Sequence, residues 1–364
     1  MKSLKFAFIT FFPIKPDNMG SSAVINSRFQ NWPYKKKLFQ ISHIKKINNQ
    51  NIETILIKKE TPLNKIFKLP ILITKVARYL KNVKQKFIIV EGASWIFYSF
   101  FTILILKIIF PKIFVIYISH SIEAKIRKKY SSRLIYIITK YFENIVFNFS
   151  EISTSVSKKE YKIIKKMYKK KTVLLPNAIT IKSKINSKKI KLNYIIYTGS
   201  YLYKPNKEAI DYLNSIFPSL LKKIPNLKLV LTGGGYSKTF PWLINRGIVS
   251  KNELHNLIYH SKCLCVPLKY GSGTRIKIIE ALSLGAVVVS SKKGIEGIDL
   301  ISKNPPFIYK NEKDLIKIIY DVMYSYKKIK KNSVNSKKYY LEKYSMKNVI
   351  KKFINENKIY KLNK

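Results

Sequence analysis

Short apolar runs with strand propensity alternate with longer helix-like stretches along most of the chain. Because parallel neighbouring strands need a crossover connection, this alternation predicts βαβ units, and its two successive series predict two doubly wound α/β sheets. The predicted strands of the first series are Lys5–Phe11, Glu53–Lys58, Phe87–Val90, Ile113–Ser119, Ile152–Val156 and Thr172–Leu175. Those of the second series are Tyr194–Tyr197, Lys228–Leu231, Cys263–Pro267 and Ala286–Ser290.

A polar, lysine-rich stretch separates the two series and places the domain boundary near Asn177–Asn193. The length of 364 residues also agrees with two domains of about 150 residues each. We predict an N-terminal Rossmann-like domain over residues 1–176 and a C-terminal Rossmann-like domain over 177–344. Residues 345–364 repeat apolar positions at helical spacing, which predicts a last helix that can return to the N-terminal domain.

The chain is strongly basic, with 70 Lys and Arg against 19 Asp and Glu and a formal charge of +51. Such a charge suggests a polyanionic partner, either a nucleic acid or an anionic membrane. Only six of the basic residues are Arg, the lysines are spread over the whole chain, and AT-rich codons would raise Lys together with Ile, Asn, Tyr and Phe. Nucleic acid is therefore disfavoured as a partner, while codon drift and an anionic membrane surface both remain explanations.

Two stretches mimic export or membrane signals. The apolar run Phe6–Phe12 follows lysines, but no small-residue cleavage site comes after it and Pro13 ends it, so a first buried strand is expected. Trp95–Ser119 is long enough to cross a bilayer, which takes about 20 residues. Because Lys107 and Pro111 interrupt it, we expect a buried helix followed by a strand.

The two cysteines, Cys263 and Cys265, lie two residues apart in an apolar run. Side chains at this spacing share one face of a strand. The pattern predicts buried thiols in a reducing, cytoplasmic compartment and favours neither a disulfide nor a zinc site.

A glycine-rich loop, Gly271–Thr274, leads into a helical pattern that ends at Gly285. Such a loop lets backbone N–H groups approach an anion at the helix N-terminus, which predicts a phosphate site. An ordinary strand-to-helix turn is the alternative when the loop is considered alone. Glu280 lies about two turns into the helix among apolar neighbours, so it needs a hydroxyl or amide partner if it is buried.

The residues GSGTRIKIIEALSLGAVVVSS (271–291) and KKGIEG (292–297) closely resemble the donor-site signature of the retaining group 1 glycosyltransferases. This resemblance implies the GT-B fold, in which two Rossmann-like domains face a central cleft. It continues in the family's order through ISHSIEAKIRKK (118–129), VLLPNAI (173–179), YTGSYLYKPNKEAIDYL (197–213) and LVLTGGG (229–235).

The resemblance implies roles for the residues of the glycine-rich loop and its helix. Glu280 corresponds to the glutamate that binds the ribose hydroxyls of the nucleotide. Ser272 stands where the family has another glutamate, so the usual carboxylate contact to the donor sugar is missing. Gly273 and Thr274 are expected to offer backbone groups to the donor.

Further donor residues follow from the same resemblance. Gly199 corresponds to the glycine that turns the first strand of the C-terminal domain towards the diphosphate, with Lys204 as the nearest cation. Val249 corresponds to the place where backbone groups meet the base. Arg275 and Lys277 are either diphosphate partners or solvated helix charges.

Two residues of the N-terminal domain complete the predicted site. Gly20 corresponds to the family's glycine loop after the first strand. His120 follows a buried strand at its carboxyl end, where ligands collect in open α/β sheets. A neutral imidazole there can hydrogen-bond a sugar hydroxyl, and the alternative is a structural histidine.

A breaking sugar–diphosphate bond develops negative charge on phosphate oxygen, so catalysis needs cations and N–H groups around the diphosphate. The five aspartates include no Asp-x-Asp pair, which predicts a metal-independent enzyme without a cofactor, the nucleotide sugar being a substrate. The resemblance implies a retaining hexosyltransferase-type enzyme of surface polysaccharide, lipopolysaccharide or glycolipid synthesis.

The partners expected from this function are a nucleotide-sugar donor, a glycan or lipid-linked acceptor and an anionic membrane surface. The enzyme would then be cytoplasmic and peripheral at the inner membrane face. Two alternatives remain: a nucleotide-sugar epimerase of the same fold, and a non-catalytic protein that binds polyanions or membranes.

Overall fold

The computed structural model describes residues 4–15, 20–44, 49–181, 185–186, 192–271, 273–301 and 306–363. Two compact units divide the chain. The first comprises Met1–Asn177 together with Met346–Lys364, and the second comprises Ala178–Ser345. Each unit is built on its own parallel sheet with helical crossovers.

The first unit holds a seven-stranded sheet in the order β3-β2-β1-β4-β5-β6-β7, with all pairings parallel. Its strands are β1 (Lys5–Thr10), β2 (Lys35–Ser42), β3 (Ile52–Leu56), β4 (Phe87–Gly92), β5 (Phe114–Ser119), β6 (Ile152–Ser155) and β7 (Val173–Leu174). Its connecting helices are α1 (Gly20–Asn31), α2 (Pro62–Lys81), α3 (Ile96–Ile109), α4 (Glu123–Tyr130), α5 (Arg133–Phe149) and α6 (Lys158–Tyr168).

The second unit holds a six-stranded parallel sheet in the order β10-β9-β8-β11-β12-β13. Its strands are β8 (Tyr194–Thr198), β9 (Lys228–Thr232), β10 (Leu243–Asn245), β11 (Cys263–Val266), β12 (Val288–Ser291) and β13 (Phe307–Tyr309). Its helices are α7 (Lys204–Lys223), α8 (Lys251–His260), α9 (Ile276–Leu284), α10 (Glu312–Tyr324) and α11 (Tyr326–Tyr344).

The prediction of two doubly wound sheets is confirmed, and each predicted strand overlaps a strand of the structure. Sequence reasoning missed β2, because the three lysines Lys35–Lys37 hide the buried run that follows them. It also missed β10 and β13, since strands of three residues are too short to show a period.

The two stretches that mimic membrane signals form strands and a helix of the first unit. Lys5–Thr10 is β1, whose last five residues are buried, and Trp95–Ser119 contains α3 and β5 as expected. Among the described residues, no helix is both long and apolar enough to span a bilayer. Cys263 and Cys265 are buried free thiols in β11, and burial raises the pKa of both.

The last helix, α12 (Met346–Glu356), belongs to the first unit, where it packs against α1. Its buried apolar face includes Phe353, whose ring centroid lies 6.3 Å from that of Trp32. Trp32 in turn meets Phe6 and Phe8 of β1 edge-on. The end of the chain thus covers one face of the first sheet.

We expect Phe353→Ala to lower the unfolding free energy of the first unit by about 3–5 kcal/mol, because it removes a buried ring and leaves a cavity against Trp32. Denaturant unfolding followed by tryptophan fluorescence measures the loss. The control Lys352→Ala changes a side chain that is 75% exposed, and should cost less than about 0.5 kcal/mol. Equal effects of the two substitutions would contradict the packing of α12.

Candidate active site

Three loops at the carboxyl edge of the second sheet are joined by backbone hydrogen bonds. The N–H of Gly199, after β8, donates to Thr232 O of β9 at 2.8 Å. The N–H of Tyr201 donates to Gly234 O at 2.9 Å, and that of Gly233 donates to Gly247 O at 2.7 Å. The loops after β8, β9 and β10 therefore form one connected surface at the edge where ligands collect in open α/β sheets.

Lys277, in the first turn of α9, lies against this surface. Its Nζ donates to Thr198 O and, at 3.2 Å, to Asn206 Oδ1, and lies 4.1 Å from the ring centroid of Tyr197. Burial and the nearby Arg275 guanidinium lower its pKa to about 7. The alternative of a solvated helix charge is therefore wrong for Lys277.

The turn at Gly199 brings backbone and cation close together. Gly199 has φ +137°, a conformation that side chains with a Cβ rarely adopt. A Cβ at this position would lie 2.9 Å from Lys277 Nζ and 2.7 Å from Asn206 Nδ2. Gly199 and Lys277, which the sequence assigned separately to the donor site, are thus neighbours. The sequence analysis did not predict the contribution of Asn206.

The last residue of the glycine-rich loop and the residue that follows it are buried. Arg275, the N-cap residue of α9, is 8% exposed, and its Nη1 donates to Gly273 O. Thr274 is also buried. The alternative of a solvated charge is therefore wrong for Arg275 too, while Ser272 lies outside the described residues.

Lys204 is exposed, as the first residue of α7. Val249 lies in the loop between β10 and α8, beside Ile248, which is 67% exposed. The side chain of Ile248 approaches the position of Gly234, where a Cβ would lie 3.4 Å from Ile248 Cδ1. The predicted base-binding segment therefore borders the connected loops.

Glu280 is buried in α9 and paired with two residues of α8. Its Oε1 accepts from Lys251 Nζ and lies 3.8 Å from His255 Nε2. Burial alone would raise its pKa, but His255 and Lys251 together hold the pKa below the ordinary value. The partners of Glu280 are thus an ammonium and an imidazole, and not the hydroxyl or amide that the sequence predicted; sequence reasoning missed both residues.

A buried ionic cluster lies at the carboxyl edge of the first sheet. Glu91, in β4, accepts from Arg28 Nη1 at 2.7 and 2.6 Å, and His120 Nε2 lies 2.7 Å from Glu91 Oε2. Arg28 and Glu91 are almost completely buried. Burial opposes ionisation of Glu91, yet Arg28 and His120 hold its pKa below the ordinary value.

This cluster determines what His120 can offer. Because the ionised carboxylate of Glu91 only accepts hydrogen bonds, Nε2 of His120 is the donor, and a neutral ring then presents Nδ1 as an acceptor. Glu91 and Arg28 were not foreseen, since a carboxylate at the end of one strand and an arginine 63 residues away become neighbours only in the fold.

The other N-terminal candidate, Gly20, is the exposed first residue of α1. Nearby, Ser22 Oγ donates to Pro13 O at 2.6 Å and ties the start of α1 to the segment after β1. Gly20 makes none of the contacts of the cluster formed by Arg28, Glu91 and His120 among the described hydrogen bonds and ion pairs.

Residues 193–323, within the second unit, match the model of the family described as Glycosyl transferases group 1. The structure is similar to sucrose-phosphate synthase from Thermosynechococcus elongatus, with a TM-score of 0.77 at 13% identity over 99% of this chain and 100% of that one. It is similar to HepE of Anabaena in complex with UDP-glucose, with a TM-score of 0.71 at 12% identity over 97% and 99% of the two chains. The fold is GT-B.

Two further proteins are similar. One is WaaG, described as a glycosyltransferase involved in lipopolysaccharide biosynthesis, with a TM-score of 0.64 at 13% identity over 95% of this chain and 98% of that one. The other is an uncharacterized 44.6 kDa protein in the cps region of Klebsiella pneumoniae, 25% identical over 203 residues, or 51% of this chain. The alignment covers 52% of the length of the Klebsiella protein, which is about half.

We expect Glu91→Gln to lower the unfolding free energy by about 3–5 kcal/mol at pH 7, because it leaves Arg28 buried without its counter-charge. The control Glu53→Gln removes a carboxylate that pairs with Lys37 and Lys75 at the surface, and should cost less than about 1 kcal/mol. Denaturant unfolding measures both.

The difference in unfolding free energy between wild type and Glu91→Gln should depend on pH. The pKa of Glu91 is lower in the folded state than its ordinary value of 4.5, so the folded protein binds fewer protons there than the unfolded chain. The stabilisation is present above about pH 4.5 and is lost as the pH falls through the folded pKa. The difference between wild type and Glu91→Gln should therefore shrink at acid pH, and a constant difference would contradict the ion pair.

Proposed function

We propose that this chain is a retaining, hexosyl-type glycosyltransferase that moves a sugar from a nucleotide-diphosphate sugar to an acceptor hydroxyl. The observation that carries the proposal is the position of Lys277 at the Gly199 turn, inside the segment that matches the group 1 family. The amine of Lys277 lies there, and cations are among the groups that stabilise a leaving diphosphate.

The protonation of Lys277 supports a diphosphate as the ligand. With a pKa of about 7, its amine is easily neutral in the free protein, whereas an adjacent anion would favour the ammonium form. Arg275, which is always charged, is buried at the N-cap of α9, two residues before Lys277. Both cations are then available for the charge that develops on phosphate oxygen.

In this proposal Glu280 binds the ribose. Its Oε1 accepts from Lys251 Nζ, and Oε2 is the proposed acceptor for a ribose hydroxyl. The connection through Lys251 also joins Glu280 to the helix that follows the predicted base-binding segment at Val249. Gly273, Thr274 and the exposed Lys204 remain proposed donor contacts.

His120 is the proposed catalytic residue. Held by Glu91, it presents Nδ1 as an acceptor for a sugar hydroxyl, and its Nε2 proton stays on the carboxylate side. Such a contact would strengthen as positive charge develops on the anomeric carbon. In the proposed mechanism the leaving phosphate assists the incoming hydroxyl, so no carboxylate nucleophile is needed. We also propose that the transfer needs no metal ion, because the sequence has no Asp-x-Asp pair to bind one.

The proposed pathway is the synthesis of surface polysaccharide, lipopolysaccharide or glycolipid in the cytoplasm, with a glycan or lipid-linked acceptor. The descriptions of two similar proteins support this choice, since WaaG is described as involved in lipopolysaccharide biosynthesis and the Klebsiella protein as lying in a cps region. The crystal structure of HepE with UDP-glucose supports a nucleotide sugar as the donor.

We expect Glu280→Ala to weaken nucleoside diphosphate binding about 10- to 150-fold, because a charge-assisted contact to ribose is lost. Since the carboxylate also pairs with Lys251, the melting temperature of the free protein should fall as well. Titration calorimetry and thermal melts on one preparation measure both effects.

The matched control is Lys251→Met, which removes the ion pair but keeps the carboxylate. It should lower the melting temperature while weakening nucleotide binding less than Glu280→Ala does. Unchanged nucleotide affinity in folded Glu280→Ala would defeat the donor-site assignment.

The transfer itself is tested by incubating the protein with nucleotide sugars and candidate acceptors and following nucleoside diphosphate release. We expect release only with an acceptor, and a product that keeps the anomeric configuration of the donor. His120→Ala should lower kcat by about a hundredfold or more with little change in the donor KM. The control His43→Ala removes a surface histidine paired with Glu60 and should leave kcat unchanged.

Four outcomes of this assay would contradict the proposal. Conversion of the nucleotide sugar without an acceptor would favour an epimerase, and an inverted product would exclude retention. A normal kcat with a raised donor KM in His120→Ala would make His120 a binding residue only. If a chelator abolishes turnover and a divalent ion restores it, the proposal that the enzyme needs no metal ion is wrong.

A further inference from the structure

The outward face of α5 is apolar. Leu134, Ile137, Ile138 and Tyr141 are 67%, 51%, 38% and 62% exposed, respectively, and their spacing of three and four residues places them in one stripe along the helix. The opposite face of α5 is buried against the first unit, where it carries Glu143. A helix at the surface of a globular domain normally shows the reverse pattern on its outward side.

This stripe is part of a wider apolar surface. Tyr130, at the end of α4, is 52% exposed, and α4 packs on α5. Scattered apolar side chains at a surface are ordinary, whereas a contiguous group marks an interaction site. We call Tyr130, Leu134, Ile137, Ile138 and Tyr141 the α4–α5 face.

Cations surround this face. The helices α4 and α5 carry six basic residues and two acidic ones, and the exposed cations are Lys125, Lys128, Lys129, Arg133 and Lys140. Two of them lie near tyrosine rings: the ammonium of Lys129 is 5.0 Å from the ring centroid of Tyr130, and that of Lys128 is 6.0 Å from that of Tyr136.

The two acidic residues of these helices are engaged inside the first unit. Glu123 accepts from Arg127 Nη2 at 2.9 Å and from Ile96 N–H at 2.6 Å. Glu143 accepts from the N–H groups of Glu123 and Ala124, at 2.7 and 3.1 Å. The α4–α5 face therefore presents apolar side chains with a net positive border.

We propose that the α4–α5 face binds the surface of an anionic lipid bilayer, with α5 lying along the headgroup region. Apolar side chains enter the acyl boundary in such a geometry, tyrosines occupy the interface, and the long stems of Lys and Arg let their charges reach lipid phosphates. The proposal is independent of the transfer chemistry, because none of these residues belongs to the proposed donor site.

Charge favours a bilayer over the other occupants of an apolar face. A second copy of this chain would place the same cations against each other, which opposes association. Nucleic acid would find the phosphate contacts, but the stripe is mainly aliphatic, whereas bases stack on aromatic rings. An anionic bilayer complements both the apolar stripe and its positive border.

The test is co-sedimentation of the full chain with vesicles of phosphatidylcholine alone and with equal parts phosphatidylcholine and phosphatidylglycerol. We expect binding to the anionic vesicles, weakened by high salt, and little binding to the neutral ones. The double substitution Ile137→Ser with Tyr141→Ser should lower the partition coefficient about tenfold or more, since membrane affinity scales with buried apolar area.

The matched control is Leu63→Ser with Phe67→Ser on α2, since these two apolar side chains are 65% and 74% exposed outside the α4–α5 face. It should change the partition coefficient less than about twofold, because neither side chain belongs to that face. A second variant, Arg133→Gln with Lys140→Gln, should reduce binding and its salt dependence together. Thermal melts and nucleoside diphosphate binding show that each variant is folded.

Unchanged vesicle binding in the α5 variants, or an equal loss in the α2 control, would overturn the proposal. So would equal affinity of wild type for neutral and anionic vesicles. If sedimentation velocity shows wild-type dimers that dissociate in Ile137→Ser with Tyr141→Ser, the face joins two copies of the chain. None of these results depends on transferase activity, so failure here is separate from failure of the proposed function.

Discussion

Parallel strand pairing is the constraint on which the rest of this structure depends. Two parallel neighbours cannot be joined by a tight turn, so the chain crosses over through a helix or a longer loop, and the loops after the strands meet at one edge of each sheet. In the second unit this edge joins the turns at Gly199, Gly233 and Gly247 through backbone hydrogen bonds. In the first unit it brings Glu91 beside His120. The candidate functional groups of both units are therefore products of the same topology.

Buried charge is the second organising feature. Glu91 and Glu280 each lie in a helix or strand interior where a lone carboxylate would be costly, and each has a cation from another helix. These partners give the carboxylates low pKa values. Glu143 is held by backbone N–H groups and Tyr168, with no cation paired to it among the described residues, and burial raises its pKa to about 7. The contrast shows that burial alone does not set ionisation here, since the neighbouring charge decides it.

The same ionic contacts serve both folding and the proposed chemistry. Lys277 is held by the carbonyl oxygen of Thr198 and by a tyrosine ring, so its amine is already placed at the proposed diphosphate site. His120 is oriented by a carboxylate that an arginine holds in turn. Groups positioned in this way need little rearrangement when charge develops on a ligand, which is the physical basis of electrostatic stabilisation. Because these groups are buried, removing one member of an ion pair leaves the other charge buried without its counter-charge, which destabilises the fold.

The sequence by itself determined the alternation of strands and helices, and with it two doubly wound sheets, because apolar periodicity is local. It also indicated Gly199, Lys277, Glu280 and His120, since their types and order along the chain carry the family resemblance. Only the tertiary structure decided which partners they have. Glu91 with Arg28, Lys251 with Glu280, and the outward apolar stripe of α5 depend on contacts between distant segments or on which helix face is buried. Periodicity shows that a helix has an apolar side, but packing decides which side the protein covers.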